Sequence, residues 1–231
     1  MMQSVVERPS YLDELKRWKD KDLIKVVTGI RRCGKSTLFE LFISYLKDTG
    51  IKDGQIIHIN LEDADYNFKD YKELYDYIIE KVDKEKQYYV FLDEVQNVPK
   101  FQKAVDSLYI KKNIDVYITG SNAYLLSGEL ATLLSGRYIE IKMLPLSFKE
   151  YVSAFNDNNY QKLFLDYMKN GGMPGNLNIL QTNPNDIDKY LDGIFSTIVY
   201  KDIMARNNIT DKMLLESVLK FIFDSIGSPI S

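Results

Sequence analysis

Five short runs of β-branched and aromatic residues recur along the chain: IKVVTG (24–29), QIIHIN (55–60), YYVFLD (88–93), DVYITG (115–120) and YIEIKM (138–143). Stretches whose apolar positions follow a helical period separate the first four, among them 36–48, 69–83 and 100–112. Strands alternating with amphipathic helices predict a parallel sheet covered by helices on both faces. The unbroken apolar run in YYVFL fits a strand buried on both sides. After Pro145 the pattern changes. LSFKEY opens a helix with a capping box, Ser147 at the N-cap and Glu150 three residues on. Only helical patterns and turns follow, over 147–155, 160–170, 186–206 and 210–226, with KNGGMPGN (169–176) as a break between helices. The expectation is an α/β core over 1–145 followed by an all-helical part.

The first strand runs into GIRRCGKST (29–37), and a helical pattern starts directly after it. Gly29 to Ser36 matches G-x-x-x-x-G-K-[ST] at every fixed position, the phosphate-binding P-loop. The spacing serves the chemistry. The loop must curl so that successive backbone N–H groups face phosphate oxygens, and glycines permit that curl. Lys35 would reach the β- and γ-phosphates and the Ser36 hydroxyl would ligate Mg²⁺. The following helix would aim its positive end at the anion. The expected nucleotide-binding set is Gly29, Arg31, Arg32, Cys33, Gly34, Lys35, Ser36 and Thr37. Arg31 and Arg32 hold variable positions and suit either phosphate or partner contact, or plain solvation. Cys33 is read as tolerated in its place, with oxidation a route to blocking the loop.

YYVFLDEVQ places Asp93 and Glu94 at the end of a buried strand, the Walker B arrangement. Asp93 would hold Mg²⁺ and Glu94 would activate the attacking water as general base. The acidic pair favours ATP hydrolysis over phosphoryl transfer to another acceptor, and no N-K-x-D guanine-reading motif is present. The fourth strand ends in ITGSN, where Ser121 and Asn122 are both candidates to sense the γ-phosphate or to cap a helix. Asn60 either restrains Glu94 at rest or simply ends its strand. His58 reads as structural, one residue of a buried strand.

The chain has 231 residues, 45% of them hydrophobic, enough for a substantial core. A formal charge of −3 gives no basic footprint for nucleic acid. One cysteine excludes an internal disulfide and fits a reducing compartment. Without a signal peptide or a membrane-spanning run, the reading is a soluble cytoplasmic protein.

Together, VVTGIRRCGKSTL, FLDEVQNVPKF, ITGSNAYLLSGELATLLSGRYIEIKMLPLSFKEY and GGMPG resemble a family of prokaryotic AAA-type P-loop ATPases, usually followed by a winged-helix and nuclease-like C-terminal domain. The resemblance implies an ATPase core with a helical lid over 146–208, and the start of a further, truncated domain over 209–231. It implies an arginine-finger position at Arg137, and so a homo-oligomer in which that residue serves a neighbouring subunit. It implies ATP and Mg²⁺ as cofactors, and a DNA or protein partner for the part beyond residue 231. The family pattern places an acidic residue where Gly175 stands. The competing readings are a nucleotide-gated switch with little turnover, a small-molecule or nucleotide kinase, and a DNA-handling motor in full-length form.

Overall fold

The computed structural model describes residues 5–121, 134, 136–204 and 207–228. Five strands, β1 (Ile24–Gly29), β2 (Ile56–Asn60), β3 (Tyr88–Asp93), β4 (Ile114–Ser121) and β5 (Tyr138–Met143), form one sheet in the order β2-β3-β4-β1-β5. Every pairing is parallel. Helix α1 (Pro9–Trp18) precedes the sheet, and α2 (Lys35–Asp48), α3 (Tyr71–Ile79) and α4 (Phe101–Tyr109) connect its first four strands.

The two-residue period of a strand sorts side chains to opposite faces. Ile24 and Val26 of β1, Val90 and Leu92 of β3, and Val116 and Ile118 of β4 pack in one core with α3 and α4. Val27, Phe91 and Tyr117 face the other way, onto Leu15 of α1 and Leu38, Phe39 and Phe42 of α2. There Phe91 and Tyr117 stack at 4.7 Å. Burying each such side chain contributes about 1.5–3 kcal/mol. On the same face a polar group is sealed in at the amino ends of the strands. Lys25 is fully buried and ion-paired to Asp115, whose other oxygen takes the Tyr117 hydroxyl and the Asp20 amide.

Beyond β5 come α5 (Phe148–Ser153), α6 (Tyr160–Asn170), α7 (Gly175–Thr182), α8 (Ile187–Thr197), a π-helical segment (Ile198–Met204) and α9 (Lys212–Asp224). The first three gather a separate apolar cluster with Leu146 that includes Tyr151, Leu163 and Leu177. Ser147 and Glu150 form the expected capping box. Two features depart from the pattern read in the sequence. Residues 175–182 are helical although GGMPG reads as a break, because Pro174 stands at the N-cap, where proline and glycine are no obstacle. The helix expected over 186–206 changes to π-helical pitch at Ile198. His58 also departs from expectation: it is exposed, since β2 is the edge strand, and meets Phe39 and Phe91 edge-on.

Candidate functional site

The P-loop leaves the carboxyl end of β1, the end at which open parallel sheets bind ligands. Arg32 (φ 64°) and Gly34 (φ 102°) both take left-handed conformations, which curls the loop ahead of α2. A side chain at Gly29 would meet the Met143 carbonyl oxygen at 2.5 Å and the Cys33 sulfur at 2.6 Å, so only glycine lets β1 lie against β5 here. Gly34, Lys35, Ser36 and Thr37 line a cleft of about 340 Å³ between the sheet edge and the helical part. Glu94, Arg8 and Arg32 join them, with Pro174, Gly175, Asn178 and Tyr190 from the helical side.

Lys35 is buried, and its ammonium lies 3.2 Å from Glu94 Oε1 and 3.4 Å from the carbonyl oxygens of Gly29 and Ile30. Ser36 is exposed to the cleft, and its hydroxyl has no partner among the described residues. Asp93 is buried at the end of β3 and accepts a hydrogen bond from the Thr119 hydroxyl on one oxygen. That same hydroxyl accepts from the Glu94 amide at 2.9 Å. Glu94 itself is in a left-handed conformation, which folds Gln96 back to donate to its second carboxylate oxygen at 2.6 Å.

Several expected residues are brought together here and others are not. Ser121 pairs in register with Gly29, is buried, and its hydroxyl has no partner among the described residues. Asn122 lies outside the described residues. Asn60 does not reach Glu94: its side chain accepts from the Glu62 amide at 3.0 Å, and Gln96 holds Glu94 instead. Arg31 turns away from the loop to Asp202 of the π-helical segment (2.9 Å) and Glu62 (3.0 Å). Burial opposes its charge, and those two carboxylates outweigh burial and raise its pKa. Arg32 lies 5.8 Å over the Tyr190 ring. Cys33 points down into the core, fully buried, and burial pushes its thiol pKa up, so oxidation has no ready access to it. The acidic side chain of the resembled pattern could stand at Gly175 only if Tyr190 moved, since a β-carbon there would fall 2.0 Å from the Tyr190 hydroxyl.

Arg137 is exposed at the amino end of β5, where its carbonyl accepts from the Ile24 amide at 2.9 Å and its guanidinium lies 5.7 Å from the Tyr109 ring. The P-loop follows the opposite end of the adjacent strand, five residue steps away, roughly 17 Å along the sheet. Arg137 therefore does not reach the cleft of its own chain.

Three residues of the site were not anticipated. Strand alternation offers a signal for Thr119, which follows Tyr117 by two positions and so shares a face with it. Gln96 was hidden because only the backbone turn at Glu94 brings it back. Arg8 was hidden because its partners are 25 to 142 positions away.

Among the described residues no cluster of three or more metal-ligating side chains occurs, and no helix is long and apolar enough to cross a membrane. Residues 21–152 match the family model AAA_14, described as an AAA domain. A relative in Haemophilus influenzae, an "Uncharacterized protein", is 40% identical over 100% of this chain and 58% of its own length. "Uncharacterized protein MJ1544" of Methanocaldococcus jannaschii is 32% identical over 87% of this chain and 47% of its own. The chain thus spans about half the length of these curated relatives. Among solved structures, the Walker-type ATPase PABY2304 of Pyrococcus abyssi is similar with a TM-score of 0.53 and 17% identity, over 89% of this chain and 77% of that one, a likeness of fold. With more than half of its residues matched by one family model, the chain belongs to the AAA_14 family of AAA domains, a family of nucleotide-binding P-loop ATPases.

Proposed function

We propose that the chain binds ATP with Mg²⁺ in this cleft, hydrolyses it, and couples occupancy to movement of the helical part. The observation that carries the reading is the convergence of Lys35, Ser36 and Glu94 on one cleft, with Lys35 and Glu94 held as an ion pair 3.2 Å apart and Asp93 buried next to Glu94 at the end of β3. Backbone N–H groups of the loop and the first turn of α2 would cradle the phosphates, and Lys35 would turn from Glu94 to the β- and γ-phosphates. Glu94, released on one oxygen and still held by Gln96 on the other, would then orient the attacking water and take its proton. Ser36 and Asp93 offer only oxygen, a hydroxyl and a carboxylate, which suits Mg²⁺. That ion, when bound, offsets charge on the β- and γ-phosphate oxygens. Ser121 is the described candidate for contact with the terminal phosphate, and Asn122 stays a second candidate.

Residues 1–145 would act as the ATPase core and 146–208 as the lid. Arg137 would serve a neighbouring subunit, where its planar fork of donors matches a γ-phosphate. Phosphate release tests the scheme. Glu94→Gln should slow turnover by about 10²–10⁴-fold with ATP still bound. Arg137→Ala should also lose turnover, and a mixture of the two variants should recover part of it, since one subunit supplies Glu94 and its neighbour supplies the arginine. Wild-type turnover by Glu94→Gln would remove Glu94 as the base. Tight binding with no turnover in the unaltered chain would make it a nucleotide-gated switch.

A further inference from the structure

Arg8 is the most heavily used cation near the loop, although the chemistry proposed above gives it no part. It precedes α1 and is 3% exposed. Its guanidinium binds three separate segments: Nε donates to Glu150 Oε1 at 2.7 Å, Nη1 to the Cys33 carbonyl at 3.2 Å, and Nη2 to the Leu144 and Pro145 carbonyls at 2.8 and 3.4 Å. The bond to Cys33 has a geometric consequence. In a planar trans peptide the C=O of one residue and the N–H of the next point in opposite directions. Holding the Cys33 carbonyl on the Arg8 side therefore turns the Gly34 N–H the other way. That N–H has no acceptor among the described residues, and Gly34 lines the cleft. A cation on the carbonyl also polarises the peptide and makes its N–H the stronger donor.

We infer that Arg8 is a positioning residue: it orients and polarises the Cys33–Gly34 peptide so that the Gly34 N–H is a preformed donor to a bound polyphosphate, and it ties that peptide to the first helix of the lid. The tie runs through Glu150, whose other oxygen accepts from the Ser147 amide and hydroxyl at 2.8 and 2.9 Å. One carboxylate thus joins the P-loop clamp to the capping box that starts α5. Lysine cannot replace arginine here, because an ammonium lacks the planar fork that serves separate acceptors at once. This inference rests on the nucleotide reading of the cleft.

The test is calorimetric titration of the unaltered chain, Arg8→Lys and Glu150→Gln with Mg-ADP and Mg-ATP, together with the Gly34 amide resonance in each saturated protein. Arg8→Lys should weaken ADP and ATP alike by about tenfold. The two ligands share the phosphate nearest the loop, so a role confined to the γ-phosphate would weaken ATP alone. The downfield displacement of the Gly34 amide seen on binding in the unaltered protein should shrink in Arg8→Lys, which a loss of general stability would not cause. Equal affinities with an unchanged Gly34 resonance would overturn the inference and leave the nucleotide reading standing. No binding by the unaltered protein would overturn both. Should Arg8→Lys fail to fold, Glu150→Gln decides: loosening the guanidinium should give a smaller loss of affinity in the same direction with a displaced Gly34 resonance, and no change in either would sink the idea.

Discussion

Thr119 shows how one hydroxyl can serve two neighbours. It donates to the Asp93 carboxylate and accepts from the Glu94 amide, inside a fully buried strand. Thr119→Val keeps the shape and removes both bonds, leaving a buried N–H unsatisfied, which costs about 1–3 kcal/mol. The loss should appear as a lower urea midpoint. Turnover should fall with ATP affinity held, because Asp93 and Glu94 lose their alignment while the P-loop does not. Unchanged stability and unchanged turnover would remove Thr119 from the site. Strand alternation puts Thr119 on the face of Tyr117, but only Ser121, at the end of the same strand, stands out in the sequence. Fixed motif positions, Gly29, Gly34, Lys35, Ser36, Asp93 and Glu94, were legible because the spacing itself is the chemistry. Variable positions were not: nothing local in GIRRCGKST says that Arg31 turns to Asp202 or that Cys33 turns into the core.

At the scale of elements, the five strands stood out because buried parallel strands are near-continuous apolar runs. β1, β3 and β5 fall on the residues read from the sequence, β2 starts one residue later, and β4 runs one residue further at each end. Helix ends were harder to read. The segment read as 69–83 is helical over Tyr71–Ile79, opened by Asp70, whose carboxylate accepts from the Lys72 and Glu73 amides. α7 was hidden by a glycine-proline start. The sheet also carries a polar lock that apolar patterning does not announce, the Lys25–Asp115 pair joining β1 to β4 at the pole away from the cleft. Removing one member of such a pair strands the other charge. Lys25→Met should lose about 3–5 kcal/mol in chemical denaturation at neutral pH. Lys25→Met with Asp115→Leu should regain most of that, since a buried pair replaced by apolar groups is often neutral. A loss under about 1 kcal/mol in the single variant would show the lock to be dispensable.

For the whole molecule, alternating strands and helices made the α/β class legible, and the order of motifs made the AAA family legible. How the helical part meets the sheet was not legible. The cleft is closed by contacts between residues far apart in the chain: Arg8 with Glu150, Arg31 with Asp202, and Arg32 with Tyr190. Each joins the P-loop or Arg8 to an element beyond β5, so under the proposed function a ligand that rearranges the loop would act on the helical part directly. That coupling depends on the cleft taking a nucleotide at all. The most direct measurement is calorimetric titration of the unaltered chain and of Lys35→Ala with Mg-ATP, with circular dichroism to show that both are folded. The account predicts saturable binding by the unaltered chain and none by Lys35→Ala, because the lysine charge is required where the phosphates sit. Equal affinity in the two proteins, or no binding by the unaltered chain, would contradict it.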